Sequence, residues 1–423
     1  MISPSTDLAV PPDVAGAGLE RRGLVPLGGR ALLLASVPLS VVWIPVANVP
    51  GLGNVALADV GLLGLWTAVA LELLIRGAGG VGRGPLLLVP AAAAIGVFAG
   101  LGTEVAGFDR TWILEALHLM KRFGFAAILP LAAALFRARG LSRTTRLLTL
   151  LCMGAMVLFV AVPSLQSHLP RPAAWDPADM DDRPTGLLTN ANDLAYASVG
   201  LAVLHAAFLP RRAGMVARIA LAATLAGAAY CVLSSGSRSG LIGSTLAVTF
   251  VVGVSRVRWR TKALLLGVSA ATIVAGLSAS AVFRERMERF YRERLEDENV
   301  STRLEAQWVA VQASVAQPLG VGYQNFLPAT SNLRERYAFT TSDSVYTDTL
   351  LGAGILGLAA LAGVLGLAWH QASGRRDDGR RIRQAGLVAF LFFGTASVIP
   401  MSVFVAPLFF WIPAAGVLAG DEG

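Results

Sequence analysis

Long apolar segments dominate this chain and limit what it can fold into more than any other feature. A helix needs about 20 apolar residues to cross a bilayer, and the sequence holds twelve candidate spans. They lie at approximately 31–50, 55–75, 85–103, 112–136, 146–166, 191–210, 214–234, 239–255, 263–283, 345–369, 384–402 and 404–420. Only 15% of the residues are charged, against about 25% in soluble domains. The sequence therefore predicts an all-α polytopic membrane protein and excludes a soluble enzyme, a disordered chain and a disulfide-stapled domain.

The cations between these spans indicate an orientation. With the N-terminus in the cytoplasm, the inside segments hold 21 arginines and lysines, whereas the short outside loops hold 4. Cytoplasmic loops are enriched in these residues, and long loops cross largely regardless of charge. We therefore predict a multi-pass membrane protein with both termini cytoplasmic. The abundance of alanine, glycine and arginine points to a bacterium, so the expected location is the bacterial inner (cytoplasmic) membrane. The net charge of +8 arises from these loops, so we expect no nucleic-acid partner.

The predicted division of the chain follows from the spans. Residues 1–30 form a cytoplasmic arm, 31–283 hold spans one to nine, 284–344 form an extracytoplasmic loop acting as a lid, and 345–423 hold spans ten to twelve. Polar residues concentrate in the outer loops, whereas the cytoplasmic loops carry little besides arginine. We therefore expect any chemistry on the extracytoplasmic side.

The first candidate site is the small-residue turn Ser234–Gly240, with Arg238 at the entry to an apolar helix. An arginine at membrane depth costs at least about 2.5 kcal/mol, so it usually faces a polar cavity or a partner. One interpretation is a side chain that extends to lipid head groups. The other is a guanidinium that binds an anionic ligand, most simply a phosphate.

The long outer loop supplies the second candidate. Its alternating charges at 284–298 are typical of a solvated helix face. Thr302-Arg-Leu-Glu305 has the pattern of a capping box, which predicts a helix that starts at Thr302. Arg303 would then lie in the first turn, where free backbone N–H groups also favour an anion. Arg238 and Arg303 on one face would suit a diphosphate.

Asp343 is the third candidate, because it precedes a long apolar helix at the outer boundary. It could cap that helix through its carboxylate, or remove a proton from an attacking hydroxyl. The two roles are compatible.

Further polar residues lie at the entry to the sixth span and inside the fourth. Asn190, Asn192 and Asp193, which follow Arg183, could bind sugar hydroxyls, or they could cap the helix and pair with a neighbouring arginine. The acidic residues at 176–182 could hold a hard cation or form a flexible loop. Lys121 and Arg122 lie inside the fourth span, where they could contact a second phosphate or follow the membrane interface.

These pieces, in this order, resemble the O-antigen ligase and Wzy-type polysaccharide polymerase superfamily. The resemblance covers about residues 183–370, and no piece is specific alone. It rests on Gly186-Leu-Leu-Thr-Asn-Ala-Asn-Asp-Leu-Ala195, Gly236-Ser-Arg-Ser-Gly240, Arg303-Leu-Glu305, Pro318-Leu-Gly-Val-Gly322, Asn325-Phe326, Asp343-Ser-Val-Tyr346 and Leu351-Gly-Ala-Gly-Ile-Leu-Gly357. The family's ligases carry a histidine where this chain has Asp343, which favours a polymerase or another glycan transferase.

The resemblance implies a glycosyltransferase that polymerises or transfers polyprenyl-diphosphate-linked glycan and inverts the anomeric carbon. Its partners would be that donor, a sugar or lipid-linked acceptor and the bilayer. We expect no metal and no cofactor, since arginines supply the positive charge. The implied catalytic residues are Asp343, Arg238 and Arg303. The implied substrate-binding residues are Lys121, Arg122, Arg183, Asn190, Asn192, Asp193, Ser237, Glu305 and Tyr346. Ligation of finished glycan and a lipid-linked sugar flippase remain alternatives.

Overall fold

The computed structural model describes most of the chain. The described residues are 24–49, 53–79, 81–108, 112–119, 124, 126–138, 140–166, 168, 184–210, 213–254, 258–260, 262–263, 266–267, 270–271, 274, 278, 288, 298–333, 341–373, 379–397 and 405–418. Lys121, Arg122, Arg183, the acidic residues 176–182 and most of the predicted ninth span lie outside them.

The described part of the chain is mostly helical, as predicted. Its helices are α1 (Leu24–Leu39), α2 (Leu57–Arg76), α3 (Arg83–Ala106), α4 (Trp112–Leu119), α5 (Leu129–Leu135), α6 (Leu141–Ala161), α7 (Pro163–Gln166), α8 (Ala191–Ala207), α9 (Met215–Ser235), α10 (Arg238–Val254), α11 (Glu298–Ala316), α12 (Phe326–Ala329), α13 (Val345–Ser373), α14 (Gly379–Ala396) and α15 (Ala406–Leu418). Strands β1 (Pro45–Val49) and β2 (Gly53–Ala56) form an antiparallel pair.

Five of the described helices are long and apolar enough to cross a membrane: α2, α3, α6, α9 and α13. This confirms a membrane protein. α1, α10 and α15 are shorter apolar helices, so the predicted count of twelve spans stays a prediction.

Two predicted spans are interrupted. α1 ends at Leu39 and is followed by the β1–β2 pair, because Pro45 favours an extended edge strand over a continued helix. The predicted fourth span is divided into α4, a short 3₁₀ turn at Ala126–Ile128 and α5. Pro130 sits at the start of α5, where proline suits a first helical turn.

α15 lies at the centre of the bundle. Trp411 is fully buried, and its indole N–H donates to Ser36 Oγ of α1 at 2.8 Å. α5, α8, α13 and α14 pack around α15. A helix that is apolar on all sides belongs in such a position, so α15 fixes the helices that carry the polar residues described below.

α13 is broken at Gly354, which has φ 68° and ψ −171°. An intact helix would join the N–H of Ile355 to the carbonyl of Leu351. Here Ile355 donates to Pro318 O at 3.0 Å, and Val321 donates to Leu351 O at 2.9 Å. The loop after α11 thus satisfies both groups that the break leaves unpaired.

Glycine permits this docking. A side chain at Gly320 would meet the backbone of residues 352–354, and one at Gly102 of α3 would lie 2.7 Å from Gly320. Three chain segments therefore meet backbone to backbone at Gly102, Gly320 and Gly354. The glycine-rich motifs at 318–322 and 351–357 are the two sides of one junction.

Candidate functional site

An ion pair joins α11 to the entry of α13. Arg303 Nε lies 3.4 Å from Asp343 Oδ2, and both side chains are half-exposed, at 31% and 42%. An exposed pair of this kind contributes less than about 1 kcal/mol. The pair orients both groups, and an incoming anion can displace the carboxylate at little cost.

The start of α11 differs from the prediction. The helix begins at Glu298, four residues before Thr302, so the capping-box assignment was wrong. Arg303 is consequently beyond the first turn, and the free N–H groups of the helix start do not assist it. Its guanidinium instead donates from Nη1 to Ala396 O at 3.0 Å.

The carboxyl end of α14 holds α11 and α13 together. Gln307 Nε2 donates to Thr395 O at 3.2 Å, and Ser344 Oγ donates to Gly394 O at 3.2 Å. The last carbonyls of a helix have no partner within it and carry partial negative charge. They therefore suit a cation, and Arg303 and Gln307 use them as fixed acceptors.

Asp343 does not act as the helix cap. It has φ 54°, the sole positive φ among the described non-glycine residues. Asp348, inside the first turns of α13, accepts the Ser342 N–H at 2.6 Å instead. This leaves the Asp343 carboxylate facing Arg303.

A second group of polar residues adjoins the pair through Tyr196 of α8. The Tyr196 hydroxyl lies 2.6 Å from Ser239 Oγ, and its ring stacks on Phe393 at 4.1 Å between centroids. Ser397 also hydrogen-bonds this hydroxyl, and Arg303 lies within electrostatic reach of it. Tyr196 thus connects the start of α10 to the Arg303 side of the site.

The turn that contains Arg238 is shaped by its small residues. Gly236 ends α9 with φ 61°, and Ser237 Oγ accepts the Gly240 N–H at 3.1 Å, which caps α10. Arg238 is half-buried on the first turn of α10, next to the Ser239 that contacts Tyr196. Ser237, which the sequence analysis assigned to substrate binding, therefore also acts as the N-terminal cap of α10.

The predicted residues on α8 divide into a cap and a buried carboxylate. Asn190 is the cap, and its side chain accepts the Asn192 N–H at 2.7 Å. Asp193 is only 5% exposed, and its Oδ1 has no hydrogen-bond partner among the described residues. It lies within electrostatic reach of the Tyr196 hydroxyl. This oxygen is therefore available to accept a hydrogen bond from a group outside the described residues.

Glu305 and Tyr346 are placed differently. Glu305 is half-buried, and its Oε1 is a buried atom without a hydrogen bond among the described residues. The Tyr346 hydroxyl donates to Leu391 O at 2.8 Å. The Tyr346 hydroxyl therefore joins α13 to α14. Glu305 Oε1, in contrast, is available to accept a hydrogen bond.

One family model matches part of the chain that forms this site. Residues 221–362 match the family model described as O-antigen ligase, and this range includes Arg238, Arg303 and Asp343. The predicted resemblance to the O-antigen ligase superfamily is confirmed. A search of curated proteins found no match.

The sequence analysis missed three contributors to the candidate site. The Ala396 carbonyl is a backbone group and leaves no trace in a sequence. Tyr196 follows the Asn-x-Asn-Asp stretch by three residues, so the helical spacing to Asp193 was the available signal. Asp348 could have been found as the carboxylate within the first turns of α13.

Proposed function

We propose that the protein is a membrane-embedded glycosyltransferase that polymerises or transfers polyprenyl-diphosphate-linked glycan on the extracytoplasmic side. The observation that carries the proposal is the Arg303–Asp343 pair at 3.4 Å, which lies inside the region that matches the O-antigen ligase family. The donor is a glycan on polyprenyl diphosphate, and the acceptor is a sugar hydroxyl on a second lipid-linked unit.

The reaction needs a cation for the leaving group. The acceptor oxygen bonds to the anomeric carbon, the bond from that carbon to the phosphate oxygen breaks, and polyprenyl diphosphate departs with the electron pair. Arg303 and Arg238 stabilise the developing negative charge, which is usually the largest single catalytic contribution. Attack opposite the leaving group inverts the anomeric carbon.

Breaking the Arg303–Asp343 ion pair frees Asp343 to act as the general base. When the diphosphate takes the guanidinium of Arg303, the Asp343 carboxylate is released towards the acceptor and accepts its hydroxyl proton. Since the half-exposed pair contributes little energy, replacing the Asp343 carboxylate by the diphosphate at Arg303 costs little free energy. Asp193 and Glu305, each with an unpartnered oxygen, are the acceptors we assign to sugar hydroxyls.

The test uses purified protein in lipid with a labelled polyprenyl-diphosphate-linked repeat. Arg303→Lys and Arg238→Lys should each lower turnover by about 10²-fold or more, because lysine cannot present a planar fork to a diphosphate. Arg76→Lys is the matched control, because Arg76 pairs with Glu72 within α2 at 2.7 Å. Normally inserted lysine variants that still make long-chain polymer would reject the diphosphate role.

The same assay separates the related functions. Chain lengthening identifies a polymerase, and transfer only to an added acceptor identifies a ligase. Movement of the lipid-linked repeat across the bilayer without a new glycosidic bond identifies a flippase and overturns the proposal.

A further inference from the structure

One face of α11 is apolar and has no protein against it among the described residues. Trp308 and Val315 are 62% and 80% exposed, and Leu304 and Leu319 are exposed as well. Residues 304, 308, 311 and 315 recur at the spacing of a single helix face. Ser301 and Gln312 are the polar residues exposed beside them. Helices on soluble lids carry polar residues on such a face, so this surface requires an occupant.

The opposite face of α11 is packed. Ala306, Ala310 and Ala313 are buried in a small cluster with Phe326 and Leu351. Small side chains let the two backbones approach closely, so α11 is held firmly against α13. The exposed face therefore points away from the bundle.

α11 runs beside α13 in the same direction. Arg303 lies at Asp343, just before α13 begins, and Pro318 lies at Ile355. The two stretches measure about 22 Å and about 18 Å at 1.5 Å per helical residue. Residues later in α11 thus lie progressively further along a candidate membrane span.

The lengths of α13 and α3 indicate where α11 lies relative to the bilayer. The part of α13 after its break at Gly354, residues 355–373, measures about 28 Å, which by itself nearly spans the hydrocarbon core of about 30 Å. The junction with α3 is at Gly102, close to the end of that helix at Ala106. The beginning of α13 therefore projects beyond the hydrocarbon, and the junction lies near its boundary.

The apolar face of α11 continues into lipid-facing surface at this junction. Ile355 and Leu356 on α13 and Leu101 and Val105 on α3 are exposed apolar residues beside Leu319. Such residues on spanning helices face lipid tails, and tryptophan is enriched at the level of the head groups. We infer that α11 lies at the extracytoplasmic membrane–water interface, with Val315 and Leu319 against acyl chains and Trp308 at head-group level.

The inference concerns bilayer contact and does not depend on the proposed reaction. It places α11, which belongs to the predicted lid over residues 284–344, partly in lipid. The occupant is the acyl chains of the leaflet. A polyprenyl tail or a second copy of the protein would leave a different signature in the following experiment.

The test measures depth with nitroxide labels on single introduced cysteines in lipid nanodiscs. The sites are Leu304, Trp308, Val315 and Leu319, with Leu356 as the lipid-facing reference and exposed Ser331 as the water-facing reference. Cys152 and Cys231 are buried, which limits background labelling. Collision with oxygen, which dissolves in lipid, is compared with collision with a water-soluble nickel chelate.

We expect the ratio of oxygen to nickel collisions to rise in the order Leu304, Trp308, Val315, Leu319, with Leu319 approaching Leu356. Ratios equal to that of Ser331 at all four sites would place the face in water and overturn the inference. Protection from both colliders would indicate a second copy of the chain. A rise in the ratio seen only after a polyprenyl-linked substrate is added would indicate a tail groove. Either result would also overturn the inference.

Discussion

Asp343 shows how one residue's backbone and side chain serve the same site. Its positive φ of 54° is uncommon outside glycine, although aspartate and asparagine tolerate it better than other residues. Observed backbone outliers cluster at functional sites. Here the conformation directs the carboxylate to Arg303, while Asp348 takes over the Ser342 N–H.

Replacement of Asp343 separates the carboxylate from the backbone. Both asparagine and glycine accommodate the left-handed conformation, but neither accepts a proton as a carboxylate does. We expect Asp343→Asn and Asp343→Gly each to lower turnover by about 10²-fold or more, measured with the labelled lipid-linked repeat. Retention of most activity by Asp343→Asn would show that the residue only orients the acceptor or is dispensable, while leaving the arginine roles intact.

At the scale of elements, the junction between α11, α13 and α3 depends on Gly354. Its φ and ψ lie in a region that is essentially restricted to glycine, and an added side chain would collide with Pro318 O. We expect Gly354→Ala to lower the free energy of unfolding by about 2 kcal/mol or more, measured by denaturation in detergent.

Gly363→Ala is the control within the same helix, because a side chain there meets nothing within 4 Å. It should be neutral or stabilise the protein by up to about 1 kcal/mol. Equal effects of the two substitutions would mean that the docking of the loop contributes nothing to stability.

The sequence predicted some elements well, for a physical reason. α9 and α10, predicted at 214–234 and 239–255, are Met215–Ser235 and Arg238–Val254, because uninterrupted apolar runs leave few alternatives. The beginning of α11 was predicted wrongly, since Thr302-x-x-Glu305 is equally compatible with a helix interior. The Arg303–Ala396 bond could not be predicted, because it joins residues 93 positions apart through a backbone carbonyl.

At the scale of the whole molecule, the distribution of cations predicts which loops share a side of the membrane. We expect Ser331→Cys to react with a membrane-impermeant maleimide in intact cells, and Ala78→Cys to react only after permeabilisation. Both positions are exposed, and the native cysteines are buried. Reaction at both positions in intact cells would refute the predicted orientation, although not the family.

The docked loop also determines which end of α11 has freedom to shift. Residues 318–322 are joined to α13 by backbone hydrogen bonds and lie against α3 at Gly102, and withdrawing them would leave amide and carbonyl groups of α13 without partners beside lipid. The other end is retained by the weak Arg303–Asp343 pair and a few hydrogen bonds to α14. If α11 shifts to admit a saccharide, we expect the displacement at the arginine end, with the glycine junction remaining in place.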